Sequence, residues 1–421
     1  FINCLKFIAI PLVLFSIVSG VLGLGDPKQL GRMGLKTLLL YLVTTVTAIS
    51  IGLLVVNFTN PGIQKEEKVR LEKRLSYELW AKDGGIALKD EQRALQTADP
   101  ELVRTVSQKL AAEMADNTTQ ELQSKNEQAK ASQQSPLQPL VDMVPENLVA
   151  SMSDGRLMLQ VIFFALFFGI ALSLLPHERV GTVKQFFIGM NEVFVKMVHI
   201  VMIAAPFFVF CLMAGVLAKT ADSTAQMLVI FQQLGYYTLV VVVGLAILLF
   251  GFYPLLLKIF RVQISYSAFF RGMSPAQFLA FSTSSSAATL PVTIDCVENN
   301  LKVPKSVTDF VLPIGATVNM DGTSLYQAVA VIFLAQFHDV DLSLMQQIGI
   351  IGTATLASIG AAAVPSAGLI MLMIVLTSVG LNPLWVAIIL PVDRILDMCR
   401  TTINVTSDAT VAAIIARWEE K

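Results

Sequence analysis

Apolar residues run along this chain in long stretches that neither alternate nor break for charge. YLVTTVTAISIGLLVV (41–56), LVVVVGLAILLFGF (239–252) and AVAVIFLAQF (328–337) contain no Asp, Glu, Lys or Arg. With their flanks such runs approach the 20 residues that match an apolar bilayer core about 30 Å thick. A transmembrane β-barrel would alternate at every second residue, and these runs do not. The pattern predicts an all-α polytopic membrane protein. Two segments interrupt it, STSSSAATLP (282–291) and SIGAAAVPSAG (358–368), both too polar and too rich in small residues to span in the ordinary way. Each precedes an apolar helix with a polar cluster at the same offset: Asn319 lies 28 residues after Pro291, and Asp393 lies 28 after Pro365. Non-helical backbone at membrane depth is tolerated only inside protein or along a polar cavity. Two such interruptions at matching places predict an inverted-repeat transporter with its binding site between two re-entrant helical hairpins.

The second polar cluster lies in PVDRILDMCRTTINVTSDATVAAIIA (391–416). At 100° per residue, Asp393, Asp397, Arg400, Asn404 and Asp408 fall within roughly 80° of one another on one helix face. Thr401 borders the face and Arg394 lies further round. Lipid does not accept such a wall, since one central charge costs about 2.5–3.5 kcal/mol on insertion scales. The face must therefore point into protein or water. An arginine fork binds a carboxylate through two parallel hydrogen bonds, and an aspartate three residues before it can accept from an ammonium. Thr401, Asn404 and free N–H groups at the interrupted segments suit a second carboxylate. Together these groups fit an acidic amino acid; an internal Asp397–Arg400 salt bridge is the competing reading. The first cluster, Asn319-Met320-Asp321-Gly322-Thr323, supplies side-chain oxygens and a helix-loosening glycine. With Asn404 and Asp408 it makes a hard-oxygen environment suited to Na⁺.

Composition sharpens this reading. The chain has 421 residues, of which only 14% are charged, against roughly a quarter in soluble domains. The net charge of −1 gives no reason to expect a nucleic-acid partner, and four scattered cysteines show no metal or pairing spacing. No GxSxG or HExxH pattern occurs, and the three histidines (His177, His199, His338) fall at or toward helix ends; no enzyme is expected. The chain opens on Phe1 within an apolar segment, which predicts residues upstream. Short loops carry Lys28, Arg32 and Lys36, then Arg179 and Lys184, Lys258, Arg261 and Arg271, and Lys302 and Lys305. The positive-inside rule places these loops and the C-terminus in the cytoplasm, and residues 63–135 outside. That polar stretch is rich in helix formers and reads as one or two solvated surface helices. Its Asn117 sequon would matter only in a eukaryotic secretory pathway.

At NPG (60–62), SSSAATLP, NMDGT, ASIGAAAVPSAG and DRILDMCRTTINVTSD the chain resembles the glutamate/aspartate transporters, the dicarboxylate/amino acid:cation symporters. The resemblance implies a homotrimer in lipid whose protomers each work as an elevator, with a scaffold and a mobile transport domain. It divides the chain into scaffold helix and loop (1–34), transport-domain helix (35–62), external insertion (63–135), scaffold and trimer segments (136–220) and transport domain (221–421). Within the last it implies hairpin 1 at about 268–298, the NMDGT helix at about 306–337, hairpin 2 at about 345–380 and the polar helix at about 384–418.

By motif, the resemblance implies Arg400 for the side-chain carboxylate, Asp397 for the amino group, and Thr401 and Asn404 for the other carboxylate. Thr323, Ser284, Ser285, Ser286 and the Val364–Gly368 tip would complete the pocket. It implies one cation site at Gly315, Asn319, Asn404 and Asp408, and a second at Thr317, Met320, Ser358 and Ile359. Tyr41, Thr44, Thr45, Asn319 and Asp321 would make a third. Na⁺ is then a co-transported ion, and no cofactor is implied. The chain departs from the family pattern at Ser284 and Met398, where other branches place an arginine; Arg394 is the expected substitute. Ala361 replaces a gate hydroxyl. The resemblance leads to an uptake symporter for L-aspartate or L-glutamate in the plasma membrane, of the bacterial inner-membrane kind. The alternatives are a proton-coupled glutamate or C4-dicarboxylate symporter, or a transporter with an associated anion channel.

Overall fold

The apolar run at 41–56 lies within α1 (Arg32–Thr59), whose 28 residues rise about 42 Å, enough to cross an apolar core. The computed structural model describes residues 10–11, 14–15, 18–19, 21–22, 32–63, 66–90, 92–114, 144–153, 158–203, 207, 211, 224–359 and 367–419. After α1 come α2 (Glu67–Asp83), α3 (Ala94–Thr97), α4 (Pro100–Met114), α5 (Leu148–Ser153), α6 (Met158–Leu174) and α7 (His177–Ile203). α8 (Thr224–Ala246) passes through a π turn at Ile247–Phe252 into α9 (Tyr253–Ile259). A helix–break–helix pair follows, α10 (Tyr266–Thr283) and α11 (Ser286–Asp295), then α12 (Lys305–Val318) and α13 (Asp321–Phe337). The second such pair is α14 (Leu344–Ile359) and α15 (Ala367–Ser378), and α16 (Leu390–Glu419) closes the chain.

Met33–Thr59 and Phe231–Ile259 are long and apolar enough to cross a membrane. Their outward faces stay apolar as well: Leu35, Leu39, Leu54 and Phe58 on the first, and Leu239, Phe250, Leu255 and Ile259 on the second, are all exposed. A water-facing helix would carry polar residues there. α13 is the centre of the packing. It is buried at every position but Gln336 and packs on α1, α8, α14, α15 and α16. Gly52 on α1 and Gly244 on α8 both face Leu325, close enough that an added Cβ would lie 2.9 Å and 3.1 Å from that residue. On the early side, Phe15 stacks on Phe194 and meets Phe187 at a tilt, and Val21 presses on Gly169 of α6.

The element boundaries differ from the expected ones in instructive places. The expected single helix around 306–337 is two helices, because Asn319 (φ −102°, ψ 100°) and Met320 (φ −125°, ψ 57°) leave the helical region. The first pair turns at Ser284, a non-glycine residue in the left-handed region with φ 52°. The polar helix begins at Leu390 after a 3₁₀ turn at Pro383–Ile388. The tip of the second pair, 360–366, lies outside the described residues, as do Asn117 and the rest of 115–143.

The polar stretch at 63–135 departs most from expectation. Its described part buries Arg74, Leu75, Tyr77, Glu78 and Ala81 on one face of α2. It is folded onto the rest of the chain, because Arg74 and Glu78 neutralise each other at 2.7 Å and let that face leave water.

Candidate functional site

α16 carries its polar face into the middle of the packing, against α8, α10, α12 and α13. Asp393, Asp397, Arg400, Thr401, Asn404 and Asp408 are all buried, and Arg400 is 0% exposed. The helix keeps its backbone bonds internal, so every polar group left over is a side chain needing its own partner.

Those partners fall into two groups along the helix. The first centres on Arg400. Its Nη2 donates to Asp397 Oδ1 at 2.7 Å and lies 3.1 Å from Asp393 Oδ1. The plane of the guanidinium rests on Tyr326, with Cζ 3.8 Å from the ring centroid, a desolvated cation–π contact. Among the described residues its Nε and Nη1 have no hydrogen-bond partner. On that side sits Gly368 at the start of α15: a Cβ there would lie 3.3 Å from Arg400 Nη1 and 3.1 Å from Thr323 Cγ2. A larger residue would crowd the two unpartnered donors. Arg394 approaches Asp397 from outside, with its Nη1 3.8 Å from Oδ2, and is half-exposed. The internal salt bridge and the open fork therefore coexist. One nitrogen pairs with the carboxylates, and two remain available.

The second group is an oxygen cluster one to two turns further along. Asn319 Nδ2 donates to Asp408 Oδ1 at 2.8 Å and to Ser407 Oγ at 2.9 Å. Ser407 Oγ donates to Asp321 Oδ2 at 2.6 Å, and Tyr253 OH donates to the same oxygen at 3.0 Å. Thr45 Oγ1 donates to Asp321 Oδ1 at 2.9 Å, with Thr44 Oγ1 3.3 Å from it. Among the described residues no Lys, Arg or His forms a salt bridge with Asp321 or Asp408. Two buried carboxylates held only by neutral donors make a strongly negative site, and burying such charges uncompensated costs several kcal/mol each. A hard monovalent cation is the chemistry this donor set suits.

The break between α12 and α13 builds the joint between the groups. The N-terminus of α13 leaves N–H groups without helical partners, and Asn404 Oδ1 accepts from Gly322 N at 2.9 Å. Asn404 Nδ2 reaches Thr323 Oγ1 at 3.4 Å. Gly322 is required at this approach, since a Cβ would come within 2.6 Å of the Arg400 carbonyl oxygen. Gly315 is required in the same way: a side chain there would overlap Asp408 Oδ1 and the Tyr41 hydroxyl.

Of the residues singled out from sequence, Arg400, Asp397, Thr323 and Gly368 meet in the first group, with Arg394 at its edge. Asn319, Asp321, Asp408, Thr44 and Thr45 meet in the second, with Tyr41 and Gly315 beside it and Asn404 between the two. Thr401 is buried, but its hydroxyl donates to the Asp397 carbonyl at 2.9 Å. Ser284, Ser285 and Ser286 lie at the α10–α11 break, whose helices pack on α16; Ser284 and Ser286 are buried. Met320 and Ser358 are also buried, and Ser358 Oγ donates to Thr355 O at 2.8 Å. The side chains of Thr317 and Ile359, and all of Val364, lie outside the described residues.

Sequence reasoning missed Tyr253, Ser407 and Tyr326. Tyr253 follows the π turn at 247–252, which re-phases the helix and defeats counting at 100° per residue. Ser407 and Tyr326 sit beside residues that were named, and their hydroxyl and ring were the available signals.

The chain matches the profile of the sodium:dicarboxylate symporter family over residues 1–418. It is 37% identical to an excitatory amino acid transporter of Caenorhabditis elegans, covering 99% of this chain and 80% of the relative. It is 36% identical to excitatory amino acid transporter 1 of Ambystoma tigrinum, covering 98% and 74%. With excitatory amino acid transporter 3 of Homo sapiens it shares 35% identity over 99% and 78%.

Proposed function

This chain belongs to the sodium:dicarboxylate symporter family, and from that premise we propose that it takes up L-aspartate and L-glutamate together with Na⁺. It is a membrane transporter, not an enzyme. The observation that carries the substrate assignment is the Arg400 guanidinium, fully buried and, among the described residues, paired on one nitrogen and unpartnered on two. A side-chain carboxylate placed beside Gly368 accepts from Nε and Nη1 together. Asp397, held by Nη2, accepts from the substrate ammonium, while Thr401, Asn404, Thr323 and the backbone at Ser284–Ser286 receive the second carboxylate.

Co-transported Na⁺ occupies the oxygen cluster. Asp408, Asn404, Asn319 and Gly315 form one site, and Asp321, Asn319, Tyr41, Thr44 and Thr45 another. Thr317, Met320, Ser358 and Ile359 form a third, largely through carbonyl groups. Asn404 touches both groups, which gives substrate and ion binding a direct physical link.

In this reading α10–α11 and α14–α15 are re-entrant hairpins, with the second the outer gate. Residues 35–62 and 221–421 move as a transport domain against a scaffold of 1–34 and 136–220, in a homotrimer set in lipid. The C-terminus is cytoplasmic, and the membrane is the plasma membrane, bacterial inner-membrane in kind. The test is uptake of labelled L-aspartate and L-glutamate into proteoliposomes under an inward Na⁺ gradient, against an inward H⁺ gradient alone. Accumulation with Na⁺ only is expected. Accumulation with H⁺ alone would turn one buried aspartate from cation ligand to proton carrier and overturn the sodium assignment.

A further inference from the structure

The described part of the stretch between α1 and α5 takes no part in the polar wall, yet its first half is built around a buried ion cluster. Arg74 and Glu78 on α2 are each 1% exposed at the side chain, and Asp90 is 4% exposed. All the nitrogens of Arg74 are committed. Nε donates to Glu78 Oε1 at 2.7 Å, Nη1 and Nη2 donate to Asp90, and Nη2 also donates to the Gln92 carbonyl at 2.9 Å. Glu78 in turn accepts from Ala94 N and Leu95 N at 2.8 and 2.9 Å, capping α3. Such a cluster is stable only when every member is present, because a lost partner leaves a buried charge unpaired.

One further bond of Arg74 leaves this unit. Nη1 donates to the carbonyl of Asp339 at 3.1 Å. Asp339 stands in the turn that leads into α14, with φ 55°. Two more contacts reach the same turn: Arg70 Nε lies 3.6 Å from Asp339 Oδ2, and Gln92 Nε2 donates to Asp341 Oδ2 at 2.8 Å. The unit also touches the turn that leaves α15. Tyr77 packs on Trp385 with ring centroids 5.7 Å apart, and Ile86 and Lys89 lie against Gly380, whose φ is 86°. Trp385 stacks on His338 at 3.5 Å, joining the two turns to each other. The unit thus holds both roots of the α14–α15 pair, whose far end carries Gly368 against Arg400.

We propose that residues 66–97 form a clamp on the roots of the outer hairpin and travel with it through the transport cycle. In this role Arg74 is a positioning residue that sets how readily the substrate pocket closes. The proposal rests on the transporter reading above. A hairpin whose roots are fixed to one rigid body loses less freedom when substrate binds between Gly368 and Arg400, so apparent affinity rises without a new substrate contact.

The test is made on the full chain in proteoliposomes and leaves the buried cluster intact. Arg70→Glu with Gln92→Glu places like charges opposite Asp339 and Asp341. The KM for L-aspartate should rise about threefold to tenfold with maximal rate within about twofold, and adding Asp341→Arg should bring KM back. In a background with the native cysteines replaced, Gln92→Cys and Asp341→Cys are joined by a short thiol crosslinker; uptake should persist, because the joined parts move together. An unchanged KM, a fall in maximal rate alone, or arrest by the crosslink would each overturn the clamp. If the parent chain itself accumulates no aspartate, the transporter reading fails first, and the two failures are told apart by that control.

Discussion

Replacing Arg400 by lysine tests the pocket with the least disturbance to the fold. Removing the charge outright would leave Asp393 buried without a base and Asp397 with the half-exposed Arg394 at 3.8 Å, a defect of about 3–5 kcal/mol that could unfold the site. Lysine keeps the positive charge and the pairing with Asp397, which Nη2 now makes at 2.7 Å. What it cannot keep is the planar fork, because an ammonium is a point charge already committed to the two aspartates. The two unpartnered donors, Nε and Nη1, are then lost to the substrate. A hydrogen bond between charged groups contributes about 1.5–3 kcal/mol. If the ammonium recovers one of the two, the net loss is one such bond, or about 10- to 150-fold in affinity. The assay is the concentration dependence of Na⁺-driven L-aspartate uptake by Arg400→Lys, set beside binding of L-serine, which lacks the side-chain carboxylate. Aspartate affinity should fall by that factor while serine binding stays within about threefold. A protein with parental melting temperature and an aspartate KM within twofold of parent would refute the assignment of Arg400 to the substrate carboxylate.

Other expectations follow from single contacts. Asp408→Asn removes a carboxylate that Asn319 holds at 2.8 Å. The Na⁺ concentration for half-maximal uptake should rise at least several-fold, and an unchanged sodium dependence would remove Asp408 from the cation site. Gly315→Ala forces a methyl group into Asp408 and Tyr41; sodium affinity should fall, as read from Na⁺ titration of substrate binding. Gly322→Ala drives a Cβ against the Arg400 backbone, and overpacking of this kind typically costs about 1–3 kcal/mol, visible as a lower melting temperature. Away from the two long apolar helices, burial pushes the Lys89 ammonium below its ordinary value, so the docked clamp gains stability as pH rises through that lowered value. Lys89→Met should raise the melting temperature near neutral pH and flatten that pH dependence.

The hydrophobic pattern by itself determined the all-helical class and the outward apolar faces of α1 and α8–α9, because continuous apolar runs have few other stable arrangements. It also set aside 282–291 and 358–368 as breaks, and helical periodicity alone put Asp393, Asp397, Arg400, Asn404 and Asp408 on one buried face. Such features are local, fixed by neighbours within a few turns. What joins Thr45 to Asp321, 276 residues away, or Asn319 to Asp408, 89 away, is the packing of separate helices, and spacing along the chain carries no distance across it. Only the tertiary structure divided Arg400 between a salt bridge and an open fork, turned Tyr253 inward through a π turn, and closed Arg74 between Glu78, Asp90 and the Asp339 carbonyl. A charged stretch like 66–97 looks solvated in sequence because its charges are counted singly. Paired in space they neutralise one another, and the face that bears them can leave water.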